Sequence, residues 1–397
     1  MRMLFISNGN IPSPWAHTVQ MMKMAEAFSR IVPNFRILTQ AHWSRLFRPR
    51  FDYRRYYGLS RRVRVAHVYA RNHPHGPIVE CVSPTGFYDR AAEYARRGKF
   101  DLVFTRAPQA AERCISDGMP CILEMHSTTD ERKMLALENI RRDAKLLGVV
   151  TISDVVREQL QDAGVPDSKI CVWPDAVDLR AFTSLPSRDS LRKNLGLPRN
   201  EVLATYCGHL YEHRGIEEIL ESAAALPQVR FLFVGGWEKD VAARRAESAH
   251  LPNVTFTGFV ANRLVPAYLT ASDVLLMPYS PDCKTAEQMS PMKMFEYMAA
   301  ERPIVATDLP ALRRHLRHKS NSLLIPPHDG AALARAIRRL IDTPEVANRF
   351  AHQARKDVRP YAWDRRATQI LDQFVFHRSA APSIETAGAP PAARQAA

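Results

Sequence analysis

The sequence predicts an α/β protein with two doubly wound parallel sheets that face each other across a cleft. Short apolar, β-branched runs alternate with amphipathic helical patterns, and the alternation starts afresh near residue 202. Continuous apolar strands that are joined through helices indicate parallel sheets covered on both faces. The length of 397 residues also fits two cores better than one.

The first half contains seven predicted strands, of which the first, MRMLFIS, includes an apolar run too short for the core of a signal peptide. These strands cover residues 1–7, 35–40, 63–68, 101–106, 121–126, 148–153 and 169–174. Helical patterns begin between most of them, near Thr18, Pro84, Pro108, Asp130 and Asp154.

The second half contains six predicted strands, at 202–208, 229–236, 254–259, 273–279, 303–308 and 322–326. A polar stretch, 184–200, separates the two halves and is the expected hinge. The expected division is therefore an N-terminal domain, a C-terminal domain, a terminal helix that returns to the first domain and a disordered Ala/Pro-rich tail. Their bounds are 1–183, 184–360, 361–378 and 379–397.

The composition is that of a soluble globular protein, with 46% hydrophobic and 24% charged residues. No apolar run approaches the roughly 18 residues that a membrane span requires. The six cysteines form no CxxC pair, which favours reduced thiols in a cytoplasmic protein over disulfides or zinc.

The net charge of +14 is concentrated in the segment 45–64, which carries eight arginines and interleaved aromatic residues. Such a segment suits an anionic membrane surface. Its aromatic residues would equally stack on nucleic-acid bases, but no nucleic-acid-binding motif accompanies them. A solvated loop without a partner is an equal alternative, because charge runs usually are solvated.

The stretch SPMKMFEYMA, 290–299, predicts a helix that begins at an anion site. Ser290 is a favoured N-cap and Pro291 a favoured first helical residue. Free N–H groups at a helix start bind phosphate, and Lys293 adds positive charge. Glu296 lies one turn further along, so a ligand that carries both phosphate and hydroxyls would fit. The alternative is a helix start that meets only water above an apolar core.

Further polar residues follow other predicted strands, at the edge where parallel sheets bind ligands. They are Asn10 and His17 after the first strand, Arg106 and His126 in the first half, and Gly208 to Arg214 in the second half. These loops are expected to converge across the cleft.

Four segments carry a resemblance to the retaining glycosyltransferases of family 4, whose GT-B fold has two Rossmann-like domains. The segments are 148–182, 206–220, 254–279 and 290–310. The first includes Asp175-Ala-Val-Asp178, which is similar to an Asn-Gly-Val-Asp turn of the family. The second resembles the family's Gly-Arg-Leu…Lys-Gly loop. The last resembles its carboxylate helix.

The resemblance implies a donor site for a nucleoside diphosphate sugar. Glu296 matches the second of two family glutamates, which binds ribose hydroxyls, whereas the first position holds Gln288. The neighbouring Glu287 would take that place after a one-residue shift of register. His209 stands where the family loop has arginine, and Arg214 where it has lysine.

The expected catalytic residues are His126, Arg214 and Lys293, with the two cations acting on the leaving diphosphate. The expected donor-binding residues are Gly208, His209, Gln288, Ser290, Pro291, Met292 and Glu296. Asn10, His17 and Arg106 are expected in the cleft on the acceptor side, and Thr18 as the cap of the helix that follows.

The implied reaction moves a sugar to an acceptor hydroxyl with retention, and retention is implied by the family alone. No Asp-x-Asp occurs in the chain, so neither a metal nor another cofactor is expected. The expected acceptor is a saccharide or a lipid-linked saccharide of envelope or exopolysaccharide synthesis, met in the cytoplasm at the inner face of the membrane. The alternatives are a sugar-nucleotide epimerase of the same fold and a non-catalytic protein that binds nucleotide sugars or nucleic acid.

Overall fold

The computed structural model describes residues 1–42, 51–70 and 84–376 of the chain, and in these residues the strands form two parallel sheets. The predicted fold class and all thirteen predicted strands are confirmed, with differences of a few residues at strand ends. The strands are β1 Arg2–Asn10, β2 Asn34–His42, β3 Val65–Ala70, β4 Leu102–Thr105, β5 Cys121–Met125, β6 Leu146–Thr151, β7 Ile170–Val172, β8 Val202–Cys207, β9 Val229–Val234, β10 Val254–Gly258, β11 Val274–Met277, β12 Ile304–Thr307 and β13 Leu323–Ile325.

Helices connect most of the strands and cover both sheets. They are α1 Ala16–Ile31, α2 Tyr53–Tyr57, α3 Pro84–Arg97, α4 Pro108–Ser116, α5 Glu131–Ile140, α6 Asp154–Asp162, α7 Arg188–Leu195, α8 Ile216–Ala225, α9 Glu238–Glu247, α10 Val265–Ala271, α11 Met292–Ala299, α12 Pro310–Arg313, α13 Gly330–Asp342, α14 Pro344–Asp357 and α15 Trp363–Leu371.

Both sheets reverse their strand order next to their first strand. The first sheet has the order β3-β2-β1-β4-β5-β6-β7, and the second has the order β10-β9-β8-β11-β12-β13. The reversal points therefore lie between β1 and β4 and between β8 and β11. Open parallel sheets bind ligands beyond the carboxyl ends of the strands at such points, which places the candidate site before any side chain is considered.

The chain crosses between the two sheets twice. The segment after β7 leads to the second sheet, and α15 returns to pack on α1, where Trp363 and Ile370 join the core of the first sheet. The two crossings meet at an isolated parallel bridge between Val177 and Ala362. The Val177 N–H donates to Tyr361 O over 2.9 Å.

The expected hinge region, 184–200, is partly helical. It contains α7, whose Arg192 is buried and donates to backbone carbonyls, among them Ala271 O, and to the Asp273 carboxylate. This segment is therefore fastened to the second sheet.

The basic segment is only partly described, because 45–50 lie outside the described residues. In the remainder, Tyr57 is fully buried and its hydroxyl donates to Ser13 O, while Tyr53 and Tyr56 pack partly against the same core. The prediction that all these aromatic residues form one surface is therefore wrong for Tyr57, because its ring completes the core beneath α2. Phe51 is exposed.

Five cysteines are free thiols, and four of them are buried; Cys81 lies outside the described residues. The predicted tail, 379–397, also lies outside them. No helix in the described part of the chain combines the length and the apolarity that crossing a bilayer requires.

Candidate active site

A cavity of about 470 Å³ lies between the carboxyl edges of the two sheets. Its volume is within the range of ordinary small-molecule sites. Both halves line it, and twelve predicted site residues are among its lining residues. Those residues are His17, Arg106, His126, Gly208, His209, Arg214, Gln288, Ser290, Pro291, Met292, Lys293 and Glu296.

The loop after β8 runs close beneath the lysine of α11. Gly208 has a φ of 147°, which L-residues with a side chain rarely adopt, and a Cβ on it would lie 2.4 Å from Lys293 Nζ. The backbone conformation thus favours glycine, and a side chain here would also displace the Lys293 ammonium group. The consequence is that the ammonium group of Lys293 lies close to the backbone of this loop at the cavity wall, where it is positioned to attract an anion.

Lys293 and Arg214 lie over aromatic rings. Lys293 Nζ is 4.1 Å from the ring centre of Tyr206 and 5.2 Å from that of Tyr279, and the Arg214 guanidinium is 4.8 Å from the Tyr279 ring. Cation–π contacts of this kind offset part of the cost of burying charge. Neither cation forms a salt bridge with a carboxylate among the described residues. Two neighbouring cations without a counter-ion are an incomplete arrangement that an anionic ligand would complete.

The helix α11 starts one residue later than predicted. Pro291 is the N-cap, Met292 is the first helical residue, and no side chain caps the helix. The prediction that Ser290 caps it is wrong, because the Ser290 hydroxyl instead accepts a hydrogen bond from the Asp175 N–H over 2.9 Å. The first N–H groups of α11 thus receive no cap from a side chain, and the helix begins at the cavity wall.

Glu296 lies on the cavity wall in the second turn of α11, and burial raises the pKa of its carboxyl against the opposing effect of Lys23 and Lys293. Gln288 is buried and lines the cavity, whereas Glu287 is exposed and does not. The alternative register, with Glu287 in place of Gln288, therefore does not occur in this structure.

His209 is part of an aromatic stack on the cavity wall that the second half of the chain contributes. Its ring stacks with Tyr211, at 5.0 Å and 12°, and with Trp237, at 5.1 Å and 25°. Burial, together with Lys293, lowers the pKa of His209, so the ring is neutral near pH 7. It therefore offers a hydrogen-bonding ring rather than the fixed charge of an arginine.

His126 has both ring nitrogens engaged. Arg106 Nη2 lies 2.9 Å from His126 Nδ1, and Glu124 Oε1 lies 2.7 Å from His126 Nε2. Arginine only donates and an ionised carboxylate only accepts, so Nδ1 is the acceptor and Nε2 carries the proton. Burial and Arg106 also lower the pKa of His126. The ring is thus neutral and locked in one tautomer.

Glu124 is the centre of a buried network on this side of the cleft. Its carboxylate also accepts hydrogen bonds from Gln20 Nε2, over 2.7 Å, and from Arg366 Nη1, over 2.8 Å. Burial disfavours the ionised form, but Arg366, with His126 and Arg106, outweighs it and holds the pKa of Glu124 well below its usual range. The charges on this wall are paired within the protein.

The chain after β1 contributes to the cavity as well. His17 lines it, and burial with Arg106 lowers its pKa. The strand β1 ends at Asn10. The place of Asn10 in the cleft stays a prediction. Thr18 was expected to cap α1, but this is wrong: its hydroxyl donates to Ser13 O and Trp15 O, each over 2.8 Å, from inside the helix.

Three residues that matter here were not selected from the sequence as site residues. Glu124 lies in the strand β5, Arg366 in the terminal helix α15, and Asp175 in the turn that resembles the family's Asn-Gly-Val-Asp. The signal available in the sequence was an isolated acidic residue within an apolar strand, CILEM, which needs a buried cation as a partner.

Comparison with known proteins identifies the class of this fold and cavity. A model of "Glycosyl transferases group 1" matches residues 201–343, and one of "Glycosyltransferase Family 4" matches 35–181. A phosphatidyl-myo-inositol mannosyltransferase from Mycobacterium leprae is 24% identical over 79% of this chain and 83% of its own. A 2-deoxystreptamine glucosyltransferase from Streptomyces kanamyceticus is 31% identical over 50% of this chain and 52% of its own.

Solved structures agree on the fold. The Anabaena Alr3699/HepE structure with UDP and glucose covers 94% of this chain and 98% of its own, with a TM-score of 0.72 and 17% identity. Sucrose-phosphate synthase from Thermosynechococcus elongatus covers 95% and 100%, with a TM-score of 0.72 and 20% identity.

The protein is therefore a glycosyltransferase with the GT-B fold. Within that class, the chain belongs to glycosyltransferase family 4, as the two matched segments and the curated relatives together indicate.

Proposed function

We propose that this glycosyltransferase moves a hexose from a nucleoside diphosphate sugar to an acceptor hydroxyl with retention of anomeric configuration. The observation that carries the proposal is the pair of cations, Arg214 and Lys293, which have no carboxylate partner in the described part of the chain and lie beside Gly208 and the start of α11. A diphosphate carries the complementary charge.

In the proposed reaction, the bond between the anomeric carbon and the diphosphate oxygen breaks, and the bond to the acceptor oxygen forms on the same face of the sugar. Negative charge grows on the departing diphosphate, so Arg214, Lys293 and the N–H groups of α11 lower the barrier by binding it. The acceptor proton passes to an oxygen of the leaving phosphate. No carboxylate nucleophile is required.

The remaining site residues receive roles that follow from their positions. Glu296 would accept hydrogen bonds from ribose hydroxyls, and the neutral ring of His209 would bind beside the diphosphate. Gln288 and His126 would lie beside the transferred sugar, and we assign His126 a positioning role because both its nitrogens are engaged. The other donor-side residues, Ser290, Pro291 and Met292, shape the wall.

Acid–base catalysis of the kind that an epimerase needs has less support. Glu124 is hydrogen-bonded to both His126 and Arg366, so neither Glu124 nor His126 is free to exchange a proton with a substrate. The matching family models are also those of glycosyltransferases. Arg106 and His17 are proposed for the acceptor side, with Asn10 nearby in the loop.

We further propose that the acceptor is a saccharide or a lipid-linked saccharide, reached in the cytoplasm at an anionic membrane surface through the basic segment 45–64. The curated relatives include an enzyme named for a phosphatidyl-myo-inositol acceptor. We also propose that the chain divides into an N-terminal domain, 1–183, and a C-terminal domain, 184–360. A terminal helix, 361–378, and a tail, 379–397, follow them.

The test is to titrate the purified protein with UDP and GDP, and then to incubate it with UDP-glucose and GDP-mannose in the presence of EDTA. Slow hydrolysis of one donor to nucleoside diphosphate and free sugar, unaffected by EDTA, is the expected result, because side chains supply the cations. Conversion of the nucleotide sugar into its epimer would overturn transfer. Activity that EDTA abolishes and magnesium restores would overturn metal independence.

A further inference from the structure

Asp175, in the crossing that follows β7, carries a buried carboxylate on the floor of the cavity. The residue is only 7% exposed, and its Oδ1 atom has no hydrogen-bond partner among the described residues. Its backbone N–H donates to Ser290 Oγ, which fixes the turn against the donor side. We call the cavity wall with Glu124 and His126 the N-terminal wall, and the wall with Arg214 and Lys293 the C-terminal wall. The Asp175 carboxylate lies where these two walls meet.

The charged groups that act on this carboxylate have hydrogen bonds to other partners. Arg366 donates to Glu124 and to the carbonyls of Trp173 and Pro174. Arg106 donates to Gln20 and contacts the His126 ring. Asp175 therefore lies near two arginines and near Glu124, and no described residue donates a hydrogen bond to its Oδ1.

An unpaired buried polar atom is costly, and native proteins rarely keep one without a reason. Burial raises the pKa of Asp175, against the effect of His126 and Arg366. An acceptor that is left open on the wall of a substrate cavity gains a partner when a substrate hydroxyl enters.

We propose that Asp175 is a specificity-determining residue whose Oδ1 accepts a hydrogen bond from a hydroxyl group of a bound sugar. The inference rests on the proposed function and deepens it. The unpartnered Oδ1 is an acceptor that suits a hydroxyl donor, whereas the Asn of the similar family turn both donates and accepts. The hydroxyl belongs either to the transferred sugar or to the acceptor.

The experiment uses the full chain with Asp175→Ala and with Asp175→Asn, which keeps the shape of the side chain. The matched control is Asp167→Asn, because Asp167 is an exposed carboxylate at the other end of β7 that pairs with Arg157. UDP and GDP binding, donor hydrolysis of UDP-glucose and GDP-mannose, and transfer to an added saccharide acceptor are measured, together with Tm.

Asp175→Ala is expected to leave nucleoside diphosphate affinity and Tm close to wild type and to weaken a sugar-dependent step by about 10- to 100-fold, the usual weight of a charged hydrogen bond. Asp175→Asn is expected to lose less. A loss in donor affinity and hydrolysis identifies the transferred sugar as the hydroxyl source. A loss confined to transfer, seen as a raised acceptor KM, identifies the acceptor.

Unchanged hydrolysis and transfer in both Asp175 variants would overturn the inference, as would a fall in Tm of Asp175→Asn without a sugar-dependent loss, which would make the carboxylate structural. If the unmodified protein bound no nucleoside diphosphate, the proposed function itself would fail, and that outcome is visible without any variant.

Discussion

The two walls of the cleft hold their charges in opposite ways. On the N-terminal wall, Glu124 is buried and receives hydrogen bonds from Gln20, His126 and Arg366. On the C-terminal wall, Arg214 and Lys293 face aromatic rings and have no acidic partner among the residues that the structure describes. The comparison teaches that one wall pairs its charges within the protein, whereas the other is the wall that we propose an anionic ligand completes.

Removing a charged side chain should have a different effect on each wall. Removing one member of a buried ion pair leaves the other charge unpaired, which destabilises the fold. Removing one of two neighbouring cations relieves their repulsion and weakens only ligand binding. Substitutions on the N-terminal wall should therefore lower stability, and substitutions on the C-terminal wall should lower activity.

The largest effect is expected from Glu124→Gln, which leaves the buried Arg366 without its carboxylate. We expect the free energy of unfolding to fall by about 3–5 kcal/mol, measured by denaturant titration. The variant Glu112→Gln, on the surface of α4, is the control. Retention of full stability in Glu124→Gln would end the idea that this wall is held together by charge.

The same variant makes a prediction about pH. The pKa of Glu124 is lower in the folded than in the unfolded chain, so its stabilisation is present above the ordinary carboxyl pKa of about 4.3 and is lost as pH falls through the folded value. The Tm of Glu124→Gln should therefore fall less steeply with acidification than that of wild type.

A loss of about 10²- to 10³-fold in turnover is expected for Lys293→Met, by analogy with the removal of one oxyanion donor, with Tm unchanged or raised. Arg214→Ala should behave in the same way. The control is Lys239→Met, on the exposed face of α9. A collapse of Tm in Lys293→Met, with donor affinity retained, would assign the C-terminal wall the same structural role as the other wall.

A smaller effect is expected for Glu296→Ala, the carboxylate on the otherwise cationic wall. Loss of charge-assisted hydrogen bonds to ribose should weaken nucleoside diphosphate binding by about 1.5–3 kcal/mol, measured by calorimetry. Because burial raises the pKa of Glu296, the unliganded variant should be no less stable than wild type near pH 7. Undiminished affinity would remove Glu296 from the donor site.

The smallest effect is expected outside the cleft, from Arg54→Gln and Arg55→Gln on the exposed side of α2. Each basic residue contributes about 1 kcal/mol near an anionic surface, so sedimentation with anionic vesicles should weaken stepwise and fall with salt. Arg338→Gln, on α13, is the control. Equal binding to neutral and anionic vesicles would end the membrane proposal and leave the comparison of the two walls untouched.

The sequence was sufficient for the strands and for the loops that reach the cavity, because hydrophobic period and strand-to-helix order determine both. It was insufficient where a side chain had two possible partners. Ser290 fits a helix cap by local rules, but the distant Asp175 N–H takes its hydroxyl. Thr18 similarly donates to Ser13 O instead of capping α1.

The buried network around Glu124 could not be predicted from the sequence for a related reason. Glu124 and Arg366 are separated by 242 positions in the sequence and meet only because α15 returns to the first sheet. No periodicity within either segment contains that contact, although an acidic residue in an apolar strand does indicate that some cation must be near.

The bridge between Val177 and Ala362 also governs how the two lobes can move. Because the outgoing and returning segments are hydrogen-bonded to each other, they form one narrow ribbon rather than two independent tethers. Two hydrogen-bonded segments can bend together about one hinge axis. Rotation of one domain relative to the other about the connection would break the hydrogen bonds between the segments. We therefore expect opening and closing of the cleft to disturb fewer hydrogen bonds than rotation of one lobe about the other, and to bring the same two faces together.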